Sequence, residues 1–328
     1  MLPITYSPAY TLVPTYECFN RCSYCNFRQD PGQDKWLTES VAKQRLEGLA
    51  EQGVREILIL AGEVHPQSSL RKAWFELLYN LAKIALDLGF YPHTNAGPLN
   101  RQEMASLKEV NFSLGLMLEQ VSPRLFTTVH RHAPSKEPQL RLKQLQLAGE
   151  LAIPFTTGLL LGIGETDQEV EDSLMAIANI QQQYGHIQEV ILQPHSPGKK
   201  QTDDIPIYSP QKLVQVVALA KEILPQGITL QIPPNLVGNF SDLLACLAAG
   251  VRDLGGIVPI DEVNPNYHHQ SVNQLSQLLE ENGYLLQPRL PVYPTYFTWL
   301  IPPLQDRLAD YTMGNLLSYP IGGIPEFS

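Results

Sequence analysis

Short apolar runs alternate along the chain with longer stretches in which apolar residues recur every three or four positions. The runs lie at Tyr10–Tyr16, Glu56–Ala61, Tyr91–Asn95, Phe112–Leu118, Phe155–Leu161, Ile187–Gln193, Thr229–Ile232 and, more weakly, Arg252–Gly255. Ile57-Leu58-Ile59-Leu60 and Leu159-Leu160-Leu161 are apolar on both faces, as parallel strands covered by helices are. The first helical stretch opens at Thr38, a residue type that caps helix N-termini, and carries apolar Leu46, Leu49 and Ala50. Others run over Leu70–Asp87, Arg101–Val110, Lys136–Leu151, Asp167–Gln183, Pro210–Leu224, Phe240–Ala249 and Val272–Asn282.

Eight strand–helix units with no composition break between them predict an α/β fold, a closed (β/α)8 barrel of the TIM type. An open doubly wound sheet, or a six-unit partial barrel with a C-terminal addition, are the alternatives. One domain over 1–328 is expected, with a core of about 10–283. Residues 284–328 form an extension wrapping the barrel, with Tyr293, Tyr296, Phe297 and Trp299 packing under a loop. In such barrels chemistry sits at the C-terminal ends of the strands.

Composition narrows the function classes. The 328 residues are 44% hydrophobic, too apolar for a disordered chain. Lys and Arg number 23 against 33 Asp and Glu, a net charge of −10 that speaks against nucleic acid or an anionic membrane as partner. No stretch approaches the roughly 18 apolar residues of a membrane span, and Met1-Leu2-Pro3-Ile4-Thr5 lacks the features of a signal peptide. A cytoplasmic enzyme acting on a small molecule is expected.

Of four cysteines, Cys18, Cys22 and Cys25 fall together just after the first strand, at the expected catalytic mouth, while Cys246 stands alone on a helix. Three clustered thiols suggest a metal centre rather than a disulfide framework. They can ligate three irons of a [4Fe–4S] cluster and leave the fourth open. A zinc site would need a fourth ligand, which His65, His93 or His130 could supply.

Cys18-x3-Cys22-x2-Cys25, with Tyr24 before the last cysteine, resembles the signature of the radical S-adenosylmethionine (SAM) superfamily. The resemblance implies a [4Fe–4S] cluster whose open iron is chelated by SAM, with reductive cleavage giving a 5′-deoxyadenosyl radical. Ala61-Gly62-Glu63 stands where the family has Gly-Gly-Glu, which implies that Gly62 and Glu63 hold the methionine ammonium. Gly158 to Glu165 is similar to the family's G-x-I-x-G-x-x-E stretch, which implies adenine packing and backbone hydrogen bonds at Gly162 and Gly164. It further implies polar contacts to SAM from Asn95 and Glu119. Arg131 is the candidate carboxylate clamp, and His195 could reach substrate or adenosine.

Further stretches point to one family within the superfamily. Thr5-Tyr6-Ser7-Pro8, Asn26-Phe27-Arg28, Pro233-Pro234-Asn235-Leu236, and Asp253-Leu254-Gly255-Gly256-Ile257-Val258-Pro259 followed by Asp261-Glu262-Val263-Asn264-Pro265 resemble the CofG-type subunit of deazaflavin (FO) synthases. The resemblance implies ring closure of an adduct of tyrosine-derived 4-hydroxybenzyl and 5-amino-6-ribitylaminouracil, with loss of ammonia. It also implies a CofH-type partner enzyme that makes the adduct, and a low-potential electron donor such as ferredoxin or flavodoxin. Asp261, Asn264 and Asn235 are candidates for holding the ribityl and phenol groups. The alternatives are the CofH-type coupling enzyme itself, a sulfur-inserting enzyme, and a non-catalytic Fe–S carrier or sensor.

Overall fold

A computed structural model of the chain describes residues 1–258 and 260–308. Eight parallel strands pair in chain order: β1 (Leu2–Leu12), β2 (Glu56–Leu60), β3 (Tyr91–Asn95), β4 (Ser113–Gly115), β5 (Phe155–Leu161), β6 (Ile187–Pro194), β7 (Thr229–Gln231) and β8 (Asp253–Ile257). β1 pairs with β2 through Ala9–Leu12 and with β8 through Thr5–Pro8, so the sheet closes into a (β/α)8 barrel. The layer outside holds α1 (Glu39–Leu46), α2 (Arg71–Asp87), α3 (Arg101–Lys108), α4 (Pro138–Glu150), α5 (Asp167–Tyr184), α6 (Pro210–Ile223), α7 (Phe240–Ala249) and α8 (Val272–Glu281).

The pattern that predicts these elements also explains their burial. Every residue of β5 is buried, because the barrel interior covers one face and helices the other. Thr38 caps α1 by accepting from Val41 N at 3.3 Å, and Asn100 and Thr166 close capping boxes with Glu103 and Glu169. Cys246 is fully buried on α7, as a small apolar residue would be.

Two departures from the sequence reading have a common cause. The first strand begins at Leu2 rather than Tyr10 and ends at Leu12, leaving residues 13–16 to lead into the cysteine loop. A ninth strand, β9 (Tyr284–Pro288), pairs in parallel with Leu2–Tyr6. Pro3, Pro8 and Pro288 hide both segments from a periodicity reading, since proline removes a ladder donor.

Beyond β9 the chain plugs the N-terminal end of the barrel. Arg289 reaches Asp253 at 2.6 and 2.8 Å and Glu189 at 2.7 Å, and Tyr293 donates to Glu189 at 3.0 Å. Arg289 holds Asp253 below the usual carboxylate range although burial alone would raise it. Tyr296 is buried, and Phe297 and Trp299 pack against the main core. Pro259 and residues 309–328, which include the rest of the expected extension, lie outside the described residues. Among the described residues no helix is long and apolar enough to cross a membrane.

Candidate active site

With the N-terminal end plugged, the opposite end holds a cavity of about 240 Å³. It is lined by Cys18, Cys22 and Cys25 from the loop after β1, by Gly62 and Glu63 after β2, and by Asn95 at the end of β3. Glu119, Tyr24 and His195 also line it, as does Leu160 of β5. Residues far apart in sequence therefore meet at the strand ends, where a TIM-type barrel carries its chemistry.

Gly62 fits because nothing larger would. A Cβ there would collide with the carbonyl of Glu17, and Gly62 N donates to Thr15 O at 2.8 Å. This close approach ties the β2 turn to the base of the cysteine loop. Gly97 has a φ of 81°, and its missing side chain leaves the space that Glu63 occupies.

Glu63 is buried and accepts three side-chain hydrogen bonds. Its Oε2 accepts from Asn20 Nδ2 at 2.9 Å and from Ser135 Oγ, and its Oε1 from Arg141 Nη2 at 3.1 Å. Glu119 accepts from Lys136 Nζ at 2.6 Å, with Arg141 Nη1 at 3.9 Å. Two buried carboxylates and two cations thus form one block beside the thiols. Burial opposes a charged Glu119, but Lys136 and Arg141 outweigh it and hold the carboxyl below its usual range. Glu119 also sits at a φ of 65°, strain of about 1–3 kcal/mol that its backbone bonds to Gly158 and Leu160 sustain.

Burial pushes the Cys22 thiol up to about 12, and burial with the nearby Glu63 carboxylate raises Cys18. Such thiols are poor as bare thiolates, whereas metal ligation deprotonates them outright. Asn20 Nδ2 lies 3.7 Å from Cys18 Sγ as a donor to the sulfur. Among the described residues no three His, Cys, Asp or Glu side chains converge on a single-ion position. None of the zinc alternatives His65, His93 and His130 lines the cavity with the thiols: His93 Nδ1 lies 2.6 Å from Ser113 Oγ, and His130 Nε2 lies 3.0 Å from the Tyr24 hydroxyl. Burial, with the Lys136 charge, lowers His130 to about 4, so it meets Tyr24 as a neutral ring. His65 Nδ1 accepts from the Gln67 N–H at 3.1 Å. Thiols that each bind a different iron need no such convergence, so the donor set fits a cluster.

Three expected residues fall elsewhere. Arg131 does not line the cavity; half exposed, it pairs with Asp203 at 3.6 Å. The cations that do line the cavity are Arg28, Lys136 and Arg141. Gly162 and Gly164 form the turn after β5, where Glu165 accepts from the N–H groups of Gly162 at 2.5 Å and Ile163 at 2.8 Å. A Cβ on Gly162 would meet Tyr208, 2.6 Å away, rather than the cavity. Of the other candidates, Asn264 lines the cavity, while Asp261 accepts from the N–H groups of Val263 and Asn264 and from Asn235 Nδ2.

Asn20, Ser135, Lys136 and Arg141 were not legible as site residues. Arg141 carried one signal: on α4 it shares a face with Gln144, Leu145 and Ala148, all buried. A cation on the buried stripe of a helix needs a buried partner.

Comparison with known proteins places the chain in a family. Residues 12–177 match the radical SAM superfamily. The chain is 86% identical over 311 residues to a 7,8-didemethyl-8-hydroxy-5-deazariboflavin synthase of Synechocystis, covering 95% of this chain and 99% of that one. It is 60% identical over 307 residues to the synthase of the same name from Thermosynechococcus vestitus, covering 94% and 98%. In fold it resembles the [FeFe]-hydrogenase maturase HydG, with a TM-score of 0.74 at 17% identity over 95% of this chain and 69% of that one. Methylornithine synthase follows with a TM-score of 0.66 at 15% identity, covering 87% and 84%. The chain belongs to the radical SAM superfamily and, within it, to the family of the 7,8-didemethyl-8-hydroxy-5-deazariboflavin synthases.

Proposed function

We propose that this enzyme closes the ring of the 4-hydroxybenzyl–ribitylaminouracil adduct, with loss of ammonia and a two-electron oxidation, to give the deazaflavin FO; SAM, ending as 5′-deoxyadenosine and methionine, would be the net two-electron oxidant. The observation that carries the reading is the meeting of Cys18, Cys22 and Cys25 with the Glu63–Arg141 and Glu119–Lys136 pairs in one cavity. The relatives' shared name supports the product, and the Asp253–Val258 stretch with Asn264-Pro265 supports the ring-closing rather than the coupling step.

In this reading Cys18, Cys22 and Cys25 hold a [4Fe–4S] cluster. Bound there together, the cluster and SAM supply a 5′-deoxyadenosyl radical that removes a hydrogen atom from the substrate. Glu63 offers its remaining lone pairs to the SAM ammonium, and Lys136 and Arg141 provide the cationic side for the SAM carboxylate. Asn95, at the end of β3, and Glu119, in the loop after β4, would contact SAM, and Leu160 would present an apolar wall to the adenine.

The protein's own part is enclosure. The loop after β6 lies across the cysteine loop, with Thr202 N donating to Ser23 O at 2.8 Å and Lys200 N to Asn26 Oδ1 at 3.0 Å. The loop after β8 joins it through Tyr267 Oη to Pro197 O at 3.1 Å. A roof of this kind keeps water from a radical and holds the target C–H in place. A CofH-type partner would make the adduct, and ferredoxin or flavodoxin would supply the electron.

The test is an anaerobic assay of the reconstituted enzyme with SAM and reductant. Synthetic adduct should yield fluorescent deazaflavin, ammonia and 5′-deoxyadenosine. Consumption of tyrosine and 5-amino-6-ribitylaminouracil without cyclisation of the adduct would overturn the reading in favour of the coupling enzyme.

A further inference from the structure

His195 stands at the end of β6 with one nitrogen committed and the other left over. Its backbone is fixed on both sides, N–H to Leu161 O at 2.8 Å and carbonyl from Tyr208 N at 3.0 Å. Nδ1 lies 3.1 Å from the carbonyl oxygen of Pro206, which can only accept, so Nδ1 carries the ring proton. Nε2 is then a lone-pair acceptor. It is buried, has no partner, and belongs to a side chain that lines the cavity. A buried acceptor left unpaired costs as much as a lost hydrogen bond, and the cavity is the place from which a donor can come.

The surroundings narrow what that donor is. Leu160, on the neighbouring strand beside Gln193, belongs to an apolar cluster with Leu125, Val129 and Ile163, against which Tyr24 and Ile205 pack. Met117 and Leu116 extend the apolar wall. The polar side chains Gln193 and Ser196 flank His195 in the chain and also line the cavity, as do Asn26, Arg28 and Asn264. An aryl ring tipped with one hydroxyl fits the apolar wall of Leu160, Leu116 and Met117 and brings the donor that His195 Nε2 lacks.

We propose that His195 Nε2 accepts a hydrogen bond from the phenol hydroxyl of the substrate's hydroxybenzyl group and so positions it, an assignment that rests on the substrate reading given above. Through Nδ1 and Pro206 the same ring ties the roofing loop to the bound phenol.

The experiment is a binding cycle on the cluster-loaded enzyme with SAM, measuring Kd for the adduct and for an analogue with benzyl in place of 4-hydroxybenzyl. Affinity is read because removal of the hydroxyl would also alter turnover. His195→Asn keeps a donor near Nδ1 and deletes the acceptor; His195→Gln places an amide oxygen near Nε2 and gives up the Pro206 contact. Wild type should bind the adduct about tenfold more tightly than the analogue, a preference lost in His195→Asn and largely kept in His195→Gln. If His195 only staples the loop, His195→Gln will be the damaged variant and His195→Asn will keep the preference, which overturns the assignment. Equal wild-type affinity for the two ligands overturns it without any variant. A fall in SAM affinity alone in His195→Asn overturns it in favour of an adenosine contact. No wild-type binding of either ligand removes the substrate reading itself, and this assignment with it.

Discussion

Replacing Arg141 with Met tests whether the charged block beside the cysteines is one balanced unit. The guanidinium is 1% exposed and donates to Ser135 O at 3.0 Å, Met117 O at 2.5 Å and Glu63 at 3.1 Å. With Lys136 it faces Glu63 and Glu119, two cations against two carboxylates. Methionine fills most of the volume but leaves one buried negative charge without compensation, a loss of about 3–5 kcal/mol. At about 2.1 cal/mol/K of unfolding entropy per residue, each kcal/mol is worth about 1.5 °C over 328 residues, so the melting temperature should fall by about 4–7 °C. The assay is anaerobic thermal and urea unfolding of parent and variant. Adding Glu63→Gln to Arg141→Met restores neutrality and should recover more than half of the loss. The sign with pH is also fixed. Without Arg141 the folded pKa of Glu119 rises, so the deficit is largest at neutral pH and shrinks as pH falls through that raised value. A single variant within about 1 kcal/mol of the parent, or a double variant less stable than the single, would refute the reasoning.

Three further outcomes follow from the same geometry. Gly97→Ala places a methyl where Glu63 lies, on a backbone with a φ of 81°, so titration of the reconstituted enzyme should show weakened SAM affinity with cluster absorbance retained. Cys22→Ala should abolish the cluster's visible absorbance after anaerobic reconstitution; full absorbance would exclude Cys22 as a ligand. Burial opposes the charge of Glu169, but hydrogen bonds from Arg124, Ser122 and the Thr166 N–H outweigh it and pull the carboxyl from 4.5 down to about 2. A depressed acid stabilises the fold above its unfolded value and loses that contribution as pH falls, so Glu169→Gln should flatten the stability–pH curve between about pH 4.5 and 2.

What the sequence revealed and what it hid divide along a physical line. The barrel was legible because parallel strands are apolar on both faces, and that signal is local to each run of residues. The thiols were legible because a metal's ligands come from one loop, so Cys18, Cys22 and Cys25 announce themselves by spacing. The cations were not, because their partners lie far off in the chain. Arg141 and Glu63 are 78 positions apart, and Arg289 lies 36 from Asp253 and 100 from Glu189. Arg131, flanked by two histidines in a polar loop, read as more exposed to ligand than Arg141 among leucines and glutamines on a helix.

The structure reverses that order for a reason that extends to both ends of the barrel. A cation can be kept in a barrel interior only where carboxylates from other strands are already converging, and such convergence is a property of the closed sheet rather than of any segment. At the N-terminal end the closure is permanent: Arg289 arrives on the chain's own tail and meets Asp253 and Glu189. At the C-terminal end the carboxylates Glu63 and Glu119 are matched by Lys136 and Arg141, yet the cavity beside them stays open and His195 Nε2 stays unpaired. The fold thus satisfies its buried charges at both mouths, and at the mouth where the thiols lie an unpaired buried acceptor belongs to a side chain that lines the cavity.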